Sequence, residues 1–316
     1  MAFDWAEFKN SLSGESDWHD ADDLARMSID SFRAEGGALR RDMSTGSLKL
    51  TGSGIDGHSG PIDGVSEALR NFQRLILATG LAATGHTTMQ GQPPLGIVAK
   101  TRLNLDGSPL PGSLVLQIVP ATSPGEEIAP DGQPELFGDN ETQLVDTAVK
   151  DALTLLDDGR RVGPDADSST FLDRIQGYGP RVASTLRDFS LTLVKFNFEP
   201  DLTWTQPRRP RLRTHLSIAE LAYLSELIAV RELEREPTTL SGVLRTVSDF
   251  SAWQLEIGND DIVRINAKQI SADRIATLRI GMTVSVDVDV TEAAGPAGGA
   301  KPKYTATSFR ILAAEG

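Results

Sequence analysis

Past Pro237 the chain has a strand pattern of its own, and no other feature restricts the fold as tightly. Runs at Leu240 to Val247, Ala252 to Ile257, Ile262 to Ile270, Thr283 to Val290 and Tyr304 to Leu312 read as strands, with a helical turn around Ala272 to Leu278 between the third and fourth. The segment VSVDVDV is the clearest. Val284, Val286, Val288 and Val290 fall on one side of a strand and Asp287 and Asp289 on the other. Three strands, a helix and two strands is the connectivity of a five-stranded OB-type barrel, although an SH3-like or other small barrel shares much of the pattern. The spacing predicts a module that folds by itself over residues 238–316.

Upstream, helices and strands are mixed. A short strand at Ser47 to Thr51 precedes the glycine-rich Gly52 to Gly64. A helix then follows, with Val65, Leu69, Phe72, Leu75, Ile76 and Leu81 at helical spacing. Alternation predicts two antiparallel strands at Ile97 to Asp106 and from Gly112, and a further strand at Leu191 to Phe198. Helices are expected in two pieces over the first 45 residues, at Glu141 to Asp157, at Ser168 to Gln176, and from Pro180, a residue suited to a first helical turn, to about Phe189. Ser217 and Glu220 have capping-box spacing, opening a helix that runs to about Glu236. The fold class is therefore α+β. A mixed helix and antiparallel-sheet body spans residues 1–205, an Arg-rich hinge with a connecting helix spans 206–237, and the small β-barrel follows at 238–316.

No residue is assigned to catalysis, to a cofactor or to a metal. The chain has no cysteine, so thiolate zinc sites, iron-sulfur clusters and cysteine nucleophiles do not arise. GSGIDG matches G-x-G-x-x-G at Gly52, Gly54 and Gly57, but a dinucleotide site needs the helix to open at the third glycine, and here His58-Ser59-Gly60-Pro61 intervenes. A turn is the simpler reading. His19, His58, His86 and His215 are isolated, and His19 with Asp20, Asp22 and Asp23 reads as a solvated helix start rather than a metal site. GHSGP lacks the last glycine of a nucleophile elbow. Asp287 and Asp289 read as the wet side of a half-exposed strand rather than an acid/base pair.

One stretch runs against the composition. QPRRPRLR places Arg208, Arg209, Arg211 and Arg213 within six positions of a chain whose formal net charge is −13. Pro207 and Pro210 favour an extended backbone, which would turn Arg209, Arg211 and Arg213 to one side, and Trp204 could add a stacking face. Such a comb suits phosphates or carboxylates. The overall negative field repels phosphate at long range, and six acids at Glu126, Glu127, Asp131, Glu135, Asp139 and Glu141 are available as partners. Carboxylates are therefore the favoured counterpart.

The expectation is a non-enzymatic binding or adaptor protein, a component of a larger assembly, with a protein partner contacted by the β module and the arginines. A nucleic-acid-binding protein that uses the strip and the barrel is the alternative, and an enzyme using scattered carboxylates is the second. Self-association is left open. MAFDWAEFKNSL lacks the basic and apolar regions of a leader, and no apolar run reaches the length of a membrane span, so a cytoplasmic location without membrane contact is expected.

Overall fold

The computed structural model describes residues 42–106, 114–128, 142–162, 170–231, 233–258, 261–294 and 300–312. The expected N-terminal helices, the His19 group, and Asp131, Glu135, Asp139 and Glu141 lie outside these residues. Along the chain the elements are β1 (Thr45–Thr51), α1 (Ile62–Ala83), α2 (Leu95–Lys100), β2 (Leu103–Leu105), β3 (Leu114–Pro120), α3 (Pro124–Ile128) and α4 (Leu144–Arg160). They continue with α5 (Thr170–Tyr178), α6 (Pro180–Lys195), β4 (Glu199–Thr205), β5 (Leu212–His215) and α7 (Ile218–Val230). The last six are β6 (Glu236–Thr246), β7 (Trp253–Ile257), β8 (Asp261–Asn266), α8 (Ala272–Ile275), β9 (Thr283–Ala294) and β10 (Ala300–Ile311). Two compact units result. Met1–Asp42 with Pro124–Thr142 makes one, within which α3 carries Glu126 and Glu127 in its first turn, and the remaining residues make the other.

The larger unit is α+β. Its antiparallel sheet has the order β2-β3-β1-β4-β5, and alternation assigns each strand a core face. Leu48 and Leu50 of β1 and Leu202 and Trp204 of β4 turn inward against helices α1, α4, α6 and α7. Phe72 of α1 meets Phe189 of α6 with ring centroids 5.6 Å apart. A polar ladder runs along the same helix pair: Asn71 donates to the Thr192 hydroxyl at 2.8 Å, and Arg74 pairs with Asp188 at 2.9 Å. Ser217 caps α7 as its spacing predicts, its amide donating to Glu220 Oε2 at 2.7 Å.

Three expected boundaries shift. Leu191 to Phe198 is not a strand. α6 runs on to Lys195, because Val182, Leu186, Phe189 and Leu193 form one buried helical stripe, a period the apolar run satisfies as well as it does alternation. Ile97 begins no strand either: Pro94 caps α2, and Thr101 Oγ1 folds back onto the Ile97 carbonyl at 2.8 Å before the short β2. Finally, α7 stops at Val230, and Pro237 lies inside β6 opposite Asp289. β7 pairs only with Val243 to Thr246, so the first half of β6 has a neighbour on one side alone, where a residue without an N–H is tolerated.

The barrel is closed in the order β10-β8-β7-β6-β9, with β8 and β10 parallel and every other pair antiparallel. With α8 between β8 and β9 this is the OB arrangement. Val284, Val286, Val288 and Val290 are buried inside, with Trp253 edge-on to Phe309 at 5.9 Å. Met89, from the connection after α1, belongs to the same buried cluster at 1% exposure, while its amide donates to Glu236 and Gln90 Nε2 donates to Thr238 Oγ1 at 3.0 Å. Among the described residues, the barrel core thus takes one side chain, Met89, from the sheet-bearing part of the chain. A fragment of residues 236–316 is expected to unfold cooperatively, and Met89→Ala in the full chain to cost about 2–3 kcal/mol. A fragment without a dispersed amide spectrum would show that the barrel needs the rest of the unit in order to fold.

Candidate binding interface

The arginine strip is a hairpin. Gln206 to Arg209 form a turn closed by the Arg209 amide on the Gln206 carbonyl at 3.2 Å, with Arg208 at φ 61. Proline second and a left-handed residue third is the pattern of a type II turn. An arginine there costs roughly 1 kcal/mol relative to glycine. The expected extended comb is therefore bent at its first half. From Leu212 onward the chain is strand β5, which pairs with β4 in the register Trp204↔Leu212, Thr203↔Arg213 and Asp201↔His215. The strip is a loop within the sheet, and the passage from sheet to barrel is made by α7 and the residues after it.

Arg208, Arg209, Arg211 and Arg213 are all exposed. Trp204 is not: at 1% exposure it lies in the core, and its indole N–H donates to Asp146 Oδ1 at 2.9 Å. The expected stacking face is therefore corrected. Period two turns Trp204 inward with Leu202, and a carboxylate from α4 supplies the acceptor its buried N–H requires. Asp146 also accepts from Ser44 Oγ and from the Gln143 amide, which makes it the common anchor of β1, β4 and the start of α4.

Arg213 is held by a fork. Its Nε and Nη2 donate to the two oxygens of Asp201 at 2.9 and 2.6 Å. That hydrogen-bonded guanidinium keeps the Asp201 carboxyl below the usual carboxylate range despite partial burial, and His215 and Lys49 act in the same direction. Across β1, β4 and β5 the outer face of the sheet reads Lys49, Asp201, His215 in one rung and Ser47, Thr203, Arg213 in the next. The Ser47 and Thr203 hydroxyls are 2.8 Å apart. Arg213, Lys49 and the His215 ring thus surround one carboxylate beside the arginine turn.

The other motifs are structural. Gly52, at φ 97, and Gly54 let the loop after β1 lie against the turn after α6, where a Cβ on Gly54 would fall 1.9 Å from the Phe196 carbonyl oxygen. The Gly54 amide donates to the Asn197 carbonyl at 3.2 Å, and α1 opens only at Ile62. Asp287 accepts from Thr239 Oγ1 at 2.8 Å and Ser308 Oγ at 2.6 Å, which ties β9 to both its neighbours and holds its carboxyl below the usual range. His86 Nδ1 is 3.2 Å from Thr84 Oγ1. Among the described residues no cluster of three or more His, Asp or Glu could hold a metal ion. No helix there is long and apolar enough to cross a membrane.

The barrel adds a surface that strand patterning alone does not reveal. Phe250 is 88% exposed at the tip of the β6–β7 connection, which is held by the Phe250 and Ser251 amides donating to Ser248 Oγ at 3.0 Å each. On the adjoining wall Gln254 lies opposite Arg264 and Glu256 opposite the exposed Ile262. An aromatic flanked by serines between two strands, SDFSAW, was the available signal.

The fold and these surfaces define an α+β chain ending in an OB-type barrel, with a basic hairpin on its sheet. No protein-family model and no curated protein matches the chain. Among solved structures it is similar to the mitochondrial single-stranded DNA binding protein Rim1 from S. cerevisiae. Identity is 13% over 24% of this chain and 92% of that chain, with a TM-score of 0.22.

Proposed function

We propose that the protein is a non-enzymatic binding protein that holds an acidic protein partner at the β4–β5 hairpin, with the barrel as a second contact surface. The observation that supports this most is the exposure of Arg208, Arg209, Arg211 and Arg213 on one hairpin of a chain with net charge −13, together with the two-pronged grip of Arg213 on a carboxylate. The guanidinium fork matches carboxylate geometry, and the protein's own field favours a partner whose charge is local and flanked by neutral residues over a uniformly charged polyanion.

Replacing the four arginines together by glutamine is expected to weaken binding of a peptide whose glutamates are separated by neutral serines at low salt by roughly 10- to 100-fold, since rim ion pairs contribute a few tenths to one kcal/mol each. The melting temperature should move by no more than about 3 °C, because the side chains are exposed. An unchanged affinity in a folded variant would contradict the reading.

A second reading rests on Phe250. An exposed aromatic on a barrel loop, beside a wall bearing Arg264, is a stacking platform for a single-stranded nucleic acid, where each stacked base contributes about 1–3 kcal/mol.

A further inference from the structure

We infer that the free edge of β5 accepts an extended segment of the protein partner as a sixth strand, with carboxylates at alternate positions and apolar residues between them. The inference rests on the reading of an acidic partner at the hairpin and specifies how that partner would be held. Among the described residues β5 is the last strand in the sheet order, and its one strand neighbour is β4. The Leu216 amide donates to the Pro200 carbonyl at 3.2 Å. Stepping back by two, Thr214 and Leu212 direct their backbone groups toward β4, so Arg213 and His215 direct theirs away from the sheet. Among the described residues, the outward backbone groups of Arg213 and His215 make no backbone hydrogen bond.

The side chains then dictate the partner's pattern. Arg211, Arg213 and His215 are exposed on the outer face, whereas Leu212 packs against the sheet's hydrophobic cluster and Thr214 is buried. A strand laid beside β5 would place alternate residues against Arg211, Arg213 and His215 and the intervening ones against Leu212 and the helix side. Arg213 spends two of its donors on Asp201 and keeps the rest for a second carboxylate. A second copy of β5 is a poor occupant, because cations would face cations across the new pair. A nucleic acid is poorer still: it offers no backbone amide to the outward carbonyls and no apolar row for Leu212. A short edge strand bearing charge can also serve only to discourage unwanted pairing, and the experiment separates the two roles.

The test uses the full chain and two labelled nine-residue peptides of glutamate and valine with identical composition, one strictly alternating and one shuffled, followed by fluorescence anisotropy. The alternating peptide is expected to bind about tenfold more tightly, with the Arg213 and His215 amides becoming protected from hydrogen exchange. Arg211→Glu, at an exposed position outside the Asp201 pair, and Arg213→Gln should each weaken it while leaving the fold intact. Equal binding of the two peptides, both lost in the arginine variants, would overturn strand addition and leave the acidic-partner reading standing. Binding of neither would overturn both, and would leave β5 as a guarded edge. Displacement of the alternating peptide by an oligothymidine of equal charge would assign the edge to nucleic acid and overturn the inference.

Discussion

Asp146→Ala is expected to cost about 3–4 kcal/mol of unfolding free energy, which for a unit of this size lowers the melting temperature by roughly 6–15 °C. The carboxylate is 2% exposed and accepts from Ser44 Oγ, Trp204 Nε1 and the Gln143 amide. Removing it leaves three donors without that acceptor in the place where β1, β4 and the first turn of α4 converge. Each buried donor left unsatisfied costs about 1–3 kcal/mol, less whatever water can recover. Asp146→Asn keeps an oxygen for Trp204 and Ser44 but sets an amide against the Gln143 N–H, so about 1 kcal/mol is expected there. Chemical denaturation of the two variants checks the ordering, and an alanine variant within about 1 kcal/mol of wild type would mean that the anchor is not formed.

Gly54→Ala should be as damaging, at about 3 kcal/mol or more, for a reason that is purely steric. The added methyl would sit 1.9 Å from the Phe196 carbonyl oxygen and 2.9 Å from the Phe198 ring, so the loop must leave the turn after α6 and give up its hydrogen bond to Asn197. Gly57→Ala is the internal comparison. At φ 58 with nothing within 4 Å, it meets only the backbone penalty, about 1 kcal/mol. Equal losses at the two positions would contradict the assignment of the glycine motif to close packing. A large loss at Gly54 alone would establish that the first glycines of GSGIDG are there to let two backbones approach.

These two positions also mark what a linear reading can and cannot see. The barrel was legible because its signal is local: Val284, Val286, Val288 and Val290 alternate with polar residues, and a period of two cannot place them anywhere but inside. Helix α1 was equally plain, its apolar stripe recurring at helical spacing over six positions. Leu191 to Phe198 was misread because its apolar residues satisfy both periods, and the choice is made by Phe72 and the rest of α1, more than a hundred residues earlier. Strands β4 and β5 escaped notice because Pro200 and Pro207 look like breakers. Pro200 in fact serves as an acceptor for the Leu216 amide, a task needing no N–H, and Pro207 builds the turn. Trp204 read as a surface aromatic for want of a nearby partner, and its partner Asp146 is 58 positions away. The exposure of the four arginines followed from composition alone. Their confinement to a sheet edge did not, since an edge is a property of strand order.

The most direct test of whether these arginines serve carboxylates or phosphates is a salt titration of the full chain with two anionic probes of equal charge, the alternating acidic peptide and a single-stranded oligothymidine. Measurable peptide binding is expected that weakens only modestly between 50 and 200 mM salt (about twofold to fivefold), because few ions are released when separated carboxylates are bound. Oligothymidine binding should be too weak to measure at either salt. Tight oligothymidine binding that falls with log salt at about −0.7 per phosphate contacted, and is lost on Phe250→Ala or on replacement of the four arginines, would contradict it.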